Sequence, residues 1–273
     1  MCRLAAFAAT VDGLPELAAL IKSLARSAAH DPLLEALGVK NPVHGDGWGF
    51  AIAVLKGGAW RVHHMRFGRP IYEDSEGIRG LLKMLSGSEG EVFVGVVHAR
   101  RASKGEAITW VDAHPHHAIV RDGTEIYVAH NGRVSKSALL GPPRRSDTVA
   151  LTLFLADNPP LETGLRRVIR AEAVETALTL AILSAGVGGS IKALALNYVS
   201  DNVAGEVRRE YYRAYVVRAG TYFAAVASSS TAAELKSMTG LEPGALRNGD
   251  LASIRATHEG VALEVSNILE EGR

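Results

Sequence analysis

Between Leu14 and Leu37 the apolar residues return at helical spacing, with Leu17, Leu20, Ile21 and Leu24 in one group and Leu33, Leu34 and Leu37 in a second. Pro15 stands near one start and Gly38 supplies a stop, so the pattern predicts two helices. Ahead of them, CRLAAFAAT reads as a first strand. After them the period shortens. GFAIAVLKGGAWRVHHMRF holds two β-prone runs around Gly57-Gly58, and HAIVRDGTEIYVAHNG holds two more around Asp122-Gly123, each the pattern of a hairpin. Between them SEGIRGLLKML is helical and EVFVGVVHAR is a buried strand ending in charged residues. Beyond RRSDTVALTLFLAD the pattern predicts a long helical stretch over 161–184. IKALALNYVS, EYYRAYVVRAG and TYFAAVASSS follow as strands, then TAAELKSM as a helix and GDLASIRA and VALEV as closing strands. No linker, repeat or low-complexity block interrupts this, so residues 2–273 are expected to form one α+β domain with helices packed on sheets.

Composition narrows the class. With 47% hydrophobic and 22% charged residues, the 273-residue chain reads as an ordinary soluble globular protein. One cysteine makes no internal disulfide, and Asp12 cuts the apolar start too early for a signal peptide, so the expected location is the cytoplasm. The most apolar run, ALTLAILSAGVGGSIKALAL, is broken by glycines and a lysine, which argues against a membrane span. Thirty Lys and Arg balance 29 Asp and Glu and are scattered, which argues against nucleic acid and for a small-molecule ligand.

Four segments concentrate polar residues where strands end and the chain turns: HGDGWGF (44–50), HARRASKG (98–105), DAHPHHAIV through AHNGRV (112–134) and RRSDTVA (144–150). Each has an ordinary structural reading alone. The glycines of 44–50 make a turn and not a G-x-G-x-x-G fingerprint, and Arg100 and Arg101 suit a solvated strand end. Asn131-Gly132 is a strong turn signal, Ser146 a good N-cap, and Asp147 complements a helix dipole. Cys2 also has two readings. It is either a small core residue of the first strand or, once the initiator methionine is removed, an N-terminal residue carrying a thiol and an α-amine on adjacent carbons.

Taken in order, these segments resemble the class II glutamine amidotransferases, members of the N-terminal-nucleophile hydrolases. In that family an N-terminal Cys precedes H-T-R-W-A-T-H-G, N-A-H-P-H, V-H-N-G, and S-D-T-E opening a helix. Here Cys2 precedes HARRASKG, DAHPH, AHNG and SDTV. The likeness covers roughly residues 2–155, and YFAAVASSS followed by LRNGDLASI is similar to the family's closing strands. The opening CRL and the DGWGF glycines resemble the stand-alone bacterial and archaeal branch more than the glucosamine-6-phosphate synthase branch, which begins C-G-I.

The resemblance implies a four-layer αββα sandwich, two antiparallel β-sheets between helical layers. It also implies that Cys2 attacks the γ-carboxamide of glutamine, that ammonia leaves, and that water hydrolyses the γ-glutamyl thioester. An α-amine, with a reference pKa of about 7.7–8.0, can serve as the base, so none of the histidines is required. By the same resemblance the Asn131 side chain and the Gly132 N–H stabilise the oxyanion. Arg100 would hold the substrate α-carboxylate and Asp147 its α-ammonium, with Ser103 lining the site and Trp48 packing behind it. Neither cofactor nor metal is called for. The residues after 155 are needed to close the fold, so ammonia is expected to pass to a separate acceptor synthetase, with a homo-oligomer left open.

Arg101, Lys104 and Arg133 depart from the family pattern and make the mouth more basic, which raises a larger anionic γ-glutamyl amide as an alternative substrate. Two rival classes remain. A metal enzyme would use His63, His64, His114, His116 and His117, but Pro115 breaks any helical ligand pair. A catalytically inactive binding subunit of the same fold would have no reason to keep Cys2, Arg100, Asn131, Gly132 and Asp147 together.

Overall fold

The computed structural model describes residues 2–103, 105–106, 108–135, 138 and 146–270; Met1, Lys104 and the Arg144-Arg145 pair of the fourth polar segment lie outside them. The chain starts with β1 (Arg3–Thr10), α1 (Leu14–Ala29) and α2 (Pro32–Ala36), as the spacing predicts. The first hairpin is β2 (Trp48–Lys56) and β3 (Ala59–Phe67), followed by α3 (Ser75–Gly87) and β4 (Val92–Ala99). The second hairpin is β5 (His116–Ile119) and β6 (Glu125–Val134), and α4 (Asp147–Asp157) and α5 (Leu161–Arg170) come next. Then follow β7 (Val174–Ala185), β8 (Ile191–Asn197), α6 (Glu206–Tyr212), β9 (Ala214–Ala219), β10 (Phe223–Ser228) and α7 (Ser229–Thr239). The chain closes with β11 (Gly244–Ala245), β12 (Asp250–Thr257) and β13 (Gly260–Asn267).

These strands make a seven-stranded sheet in the order β11-β9-β10-β1-β4-β2-β3 and a six-stranded sheet in the order β13-β12-β8-β7-β6-β5. Neighbouring strands in both are antiparallel, and β1 lies inside its sheet, between β10 and β4. Alternation sorts the side chains. Ala5, Phe7 and Ala9 of β1 pack with Leu17, Leu20, Ile21 and Leu24 of α1 and with Leu235 of α7. Leu4, Ala6 and Ala8 face the other way, into a core shared with Tyr127 and Ala129 of β6 and Ala181 of β7. The outer face of the second sheet buries Leu178 and Leu180 against Leu151 and Leu155 of α4 and Leu165 and Val168 of α5. The result is helix, sheet, sheet and helix in four layers. No helix among the described residues is long and apolar enough to cross a membrane.

Two sequence expectations are corrected. The helix expected over 161–184 ends at Arg170; Glu172 turns the chain with φ 52°, and Val174–Ala185 is a strand buried over most of its length. A strand buried on both faces loses its alternation, so its apolar run imitates a buried helix. EYYRAYVVRAG is not one strand either: Glu206–Tyr212 is helical, and the strand begins at Ala214.

Candidate active site

Strand parity brings the polar residues together. Along β1 the even positions Leu4, Ala6 and Ala8 face the inter-sheet core, and Cys2 continues that row by one step. Along β4 the same core takes Val92, Val94 and Val96, and His98, the next in the row, lies opposite Leu4 in the register. Along β6 it takes Tyr127 and Ala129, and the next residue in that row is Asn131. Each strand therefore changes from apolar to polar at the same end of the sandwich.

The Cys2 backbone nitrogen donates to Asn131 Oδ1 at 2.8 Å, and Cys2 Sγ lies 3.8 Å from the Arg101 carbonyl oxygen. Asn131 is fully buried, and its Nδ2 has no hydrogen-bond partner. An unmatched buried amide donor costs stability, and this one has its hydrogen-bonding capacity unspent beside the Cys2 nitrogen. Gly132 follows at a break in the β6–β7 register with φ 148°, where a Cβ would run into the Ala177 carbonyl. Asn131 and Gly132 thus lie inside a strand, just ahead of its irregularity, rather than in a hairpin turn.

Two imidazoles complete this end of the core. His98 Nε2 and His114 Nδ1 are 3.0 Å apart, and the His130 N–H points at His114 Nδ1 from 3.4 Å. The buried Nδ1 of His98 has no hydrogen-bond partner. Burial, helped by the Arg100 guanidinium, lowers His98 to about 3. Burial and then the neighbouring imidazoles hold His114 well below its ordinary value, so both rings are neutral at pH 7. Cys2, His98 and His114 each present a ligand atom within 4.8 Å of the others'.

Arg100, only 2% exposed, extends from the end of β4. Its Nη2 meets Glu106 Oε2 at 3.1 Å, and the same oxygen accepts from the Ser103 N–H at 3.1 Å. Its backbone is clamped by the glycine-rich loop, with Arg100 N–H on the Gly47 carbonyl at 2.8 Å and Asp46 N–H on the Arg100 carbonyl at 2.9 Å. Gly47 takes φ 115°, and a Cβ there would meet the Phe67 carbonyl. Ser146 caps α4 by accepting from the Val149 N–H, and Asp147, the first helical residue, accepts from the Val134 N–H at 3.2 Å and lies 4.0 Å from His130 Nδ1. Asp147 therefore abuts the end of β6 from the helical layer. Trp48 is fully buried, stacked on Phe67, and donates its indole N–H to Asp74.

Beside Cys2, Arg3 reaches into a fully buried cluster. Its guanidinium lies 2.5 Å from Asp31 Oδ2 and 4.0 Å above the Tyr211 ring, and His44 Nε2 meets the same carboxylate oxygen at 2.8 Å. Burial pushes Asp31 up, but His44 and Arg3 outweigh it and hold the carboxyl at about 2. Burial takes His44 down to about 4, so it donates as a neutral ring. The cluster fixes the strand start that carries Cys2.

Sequence reasoning did not single out Glu106, His98 or the Arg3–Asp31–His44 cluster. His98 was open to discovery through the parity of its strand; Glu106 offered no local signal. Of the histidines considered as metal ligands, His64 bonds the Pro115 carbonyl and His117 pairs with Glu125 at 3.0 Å, so these rings do not converge on one point.

A cavity of about 530 Å³ is lined by Ser103, Gly132, Arg133, Thr176 and Tyr212 together with Arg101, whose carbonyl oxygen lies 3.8 Å from Cys2 Sγ. Arg101 Nη1 donates to the carbonyls of Asn41 and Val43 at 2.8 and 2.6 Å, and Arg133 lies 3.6 Å from Glu175. A larger cavity of about 900 Å³ lies between α1 and α3 on the far face of the first sheet, and none of the residues described above for the Cys2 end lines it.

No family model matches the sequence, and no curated protein sequence matches it. Among solved structures the chain is similar to one described as the allosteric regulatory enzyme of purine biosynthesis, with a TM-score of 0.58 and 14% identity over 96% of this chain and 48% of that one. It is also similar to glutamine phosphoribosylpyrophosphate amidotransferase from B. subtilis complexed with ADP and GMP, with a TM-score of 0.57 and 14% identity over 96% of this chain and 49% of that one. The chain spans about half the length of these enzymes, and at such identity the likeness speaks for the fold. Two antiparallel sheets between helical layers, with the cysteine ahead of an inner strand, give this chain the fold of the N-terminal-nucleophile hydrolases.

Proposed function

We propose that the chain is a glutamine amidotransferase domain that hydrolyses the γ-amide of glutamine through Cys2, made N-terminal by loss of Met1. One observation carries this reading: a single buried amide, Asn131, accepts from the Cys2 nitrogen through Oδ1 at 2.8 Å and keeps Nδ2 unmatched. That amide orients the base and offers a donor where an oxyanion would form.

In the reaction the α-amine takes the thiol proton, sulfur bonds to the γ-carbon, and the carbonyl electrons move to oxygen. Asn131 Nδ2 and the Gly132 N–H receive the negative charge. The intermediate collapses, the amine returns its proton, and ammonia leaves. Water then adds to the thioester, the C–S bond breaks, and glutamate departs. Arg100 binds the α-carboxylate by exchanging its Glu106 partner for substrate, Asp147 serves the α-ammonium, and Ser103 lines the pocket. Ammonia is handed to a separate acceptor synthetase in the cytoplasm, the domain needing no cofactor of its own.

Arg101 and Arg133 engage acceptors of the protein itself, which favours glutamine over a larger anionic γ-glutamyl amide. The test is labelling with a diazoketone analogue of glutamine. One equivalent should attach at Cys2, excess glutamine should protect, and a chain with an extra residue fixed before Cys2 should label far more slowly. Glutamate release by Cys2→Ala at the native rate would overturn the reading.

A further inference from the structure

The Cys2 thiol belongs to a second grouping that the amide hydrolysis above does not use. A sulfur and two imidazole nitrogens, from Cys2, His98 and His114, lie within 4.8 Å of one another, with no carboxylate in the group. All three side chains are buried: Cys2 is 5% exposed, His98 0% and His114 5%. We propose that these residues form a binding site for a thiophilic divalent cation, with zinc as the probe, and that its occupation reversibly blocks the thiol.

The donor set is the first argument. One thiolate and two neutral imidazoles suit zinc and its neighbours rather than magnesium or calcium, and three protein ligands leave a fourth position for water or the Cys2 amine. Geometry is the second. His98 Nε2 and His114 Nδ1 are already 3.0 Å apart, whereas two nitrogens bound tetrahedrally to one zinc at about 2.0–2.1 Å stand roughly 3.4 Å apart, so the rings need only a small separation. The adjoining cavity of about 530 Å³ supplies the way in. Binding replaces the S–H bond of Cys2 by a metal–sulfur bond and releases one proton to water, with no change of oxidation state. The block rests on Cys2 being the nucleophile; the binding does not.

The experiment titrates the intact protein with zinc against a chromophoric chelator and repeats the titration with cobalt(II). One equivalent should bind, cobalt should show a thiolate charge-transfer band, and glutamine hydrolysis should fall in step and return with excess chelator. His98→Ala and His114→Ala should bind zinc on the order of a hundredfold more weakly. Because Cys2 is the only cysteine, the folded native chain gives a further measurement free of substitution: zinc should slow its alkylation by iodoacetamide at least about tenfold, and the alkylated protein should lose the site. Unchanged zinc affinity after alkylation, or a cobalt complex without the thiolate band, would overturn the proposal. Zinc binding without glutamine hydrolysis would sustain the site and remove the amidotransferase reading; hydrolysis without zinc binding would do the reverse.

Discussion

The backbone nitrogen of Cys2 and Oδ1 of Asn131 stand 2.8 Å apart although the residues are separated by 129 positions and belong to facing sheets. Nothing local holds them there. Their distance is set by the stacking of the sheets, and the stacking is set by the apolar rows that both residues continue.

Asn131→Asp keeps an oxygen toward the Cys2 nitrogen and deletes the Nδ2 donor. The turnover number for glutamine should fall on the order of 100- to 1000-fold, the usual cost of one oxyanion donor, with KM changed little. Steady-state glutamate release checks this, and a loss smaller than about tenfold would remove Nδ2 from the transition state.

Glu106 occupies the Arg100 guanidinium that the proposed mechanism gives to substrate. Glu106→Gln should therefore lower KM for glutamine, by roughly fivefold if about 1 kcal/mol of competition is relieved. Arg100→Lys should raise it by at least about tenfold, since a single ammonium cannot make a two-pronged contact with a carboxylate. An unchanged KM in both variants would place this pair outside the substrate pocket.

Burial holds four histidines neutral, with His44 at about 4, His98 and His116 at about 3, and His114 well below its ordinary value. The unfolded chain protonates them near the ordinary 6.5. As pH falls below that value the unfolded state gains protons first, so the stability present above it is lost progressively down toward the folded values. Each extra proton contributes a slope of about 1.4 kcal/mol per pH unit. Asp31, held at about 2, acts in the same direction in more acid solution, between its ordinary value and 2. Denaturant titrations at pH 7 and pH 5 should show a clear loss at pH 5 and uptake of two or more protons on unfolding; equal stability at the two pH values would refute the neutral-ring assignment.

Arg3→Met leaves the Asp31 carboxylate fully buried without its guanidinium. Breaking a buried pair from one side typically costs about 3–5 kcal/mol, and urea midpoints should register it. A loss under about 1 kcal/mol would mean that His44 alone satisfies the carboxylate.

The amphipathic α1 and the turn-bounded hairpins were readable in the chain, and so was β4, whose short valine-rich run reads as a strand although both its faces are buried. β7 was not, since its apolar run has the length of a helix and burial on both faces erases the period that would tell the two apart. Cys2, Arg100, Asn131, Gly132 and Asp147 stood out as an ordered set of segments, yet the sequence carried no distances. Which histidine would sit beside the thiol depended on strand register, a pairing between Leu4 and His98 that no short window contains. Glu106 reaches Arg100 through a loop, where no periodicity operates.

Among the described residues, more than half of those buried in the core between the sheets are alanines, among them Ala6 and Ala8 of β1, Ala51 and Ala53 of β2, and Ala193 and Ala195 of β8. Such short side chains act as a shim of fixed thickness between two plates, one bearing the thiol and the other the amide. A valine introduced deep in that layer, at Ala8, would touch neither group and would still work as a wedge, tilting one plate and widening the gap at its polar end. Selection on this chemistry then reaches far inside the sandwich, to methyl groups whose only contribution is their size.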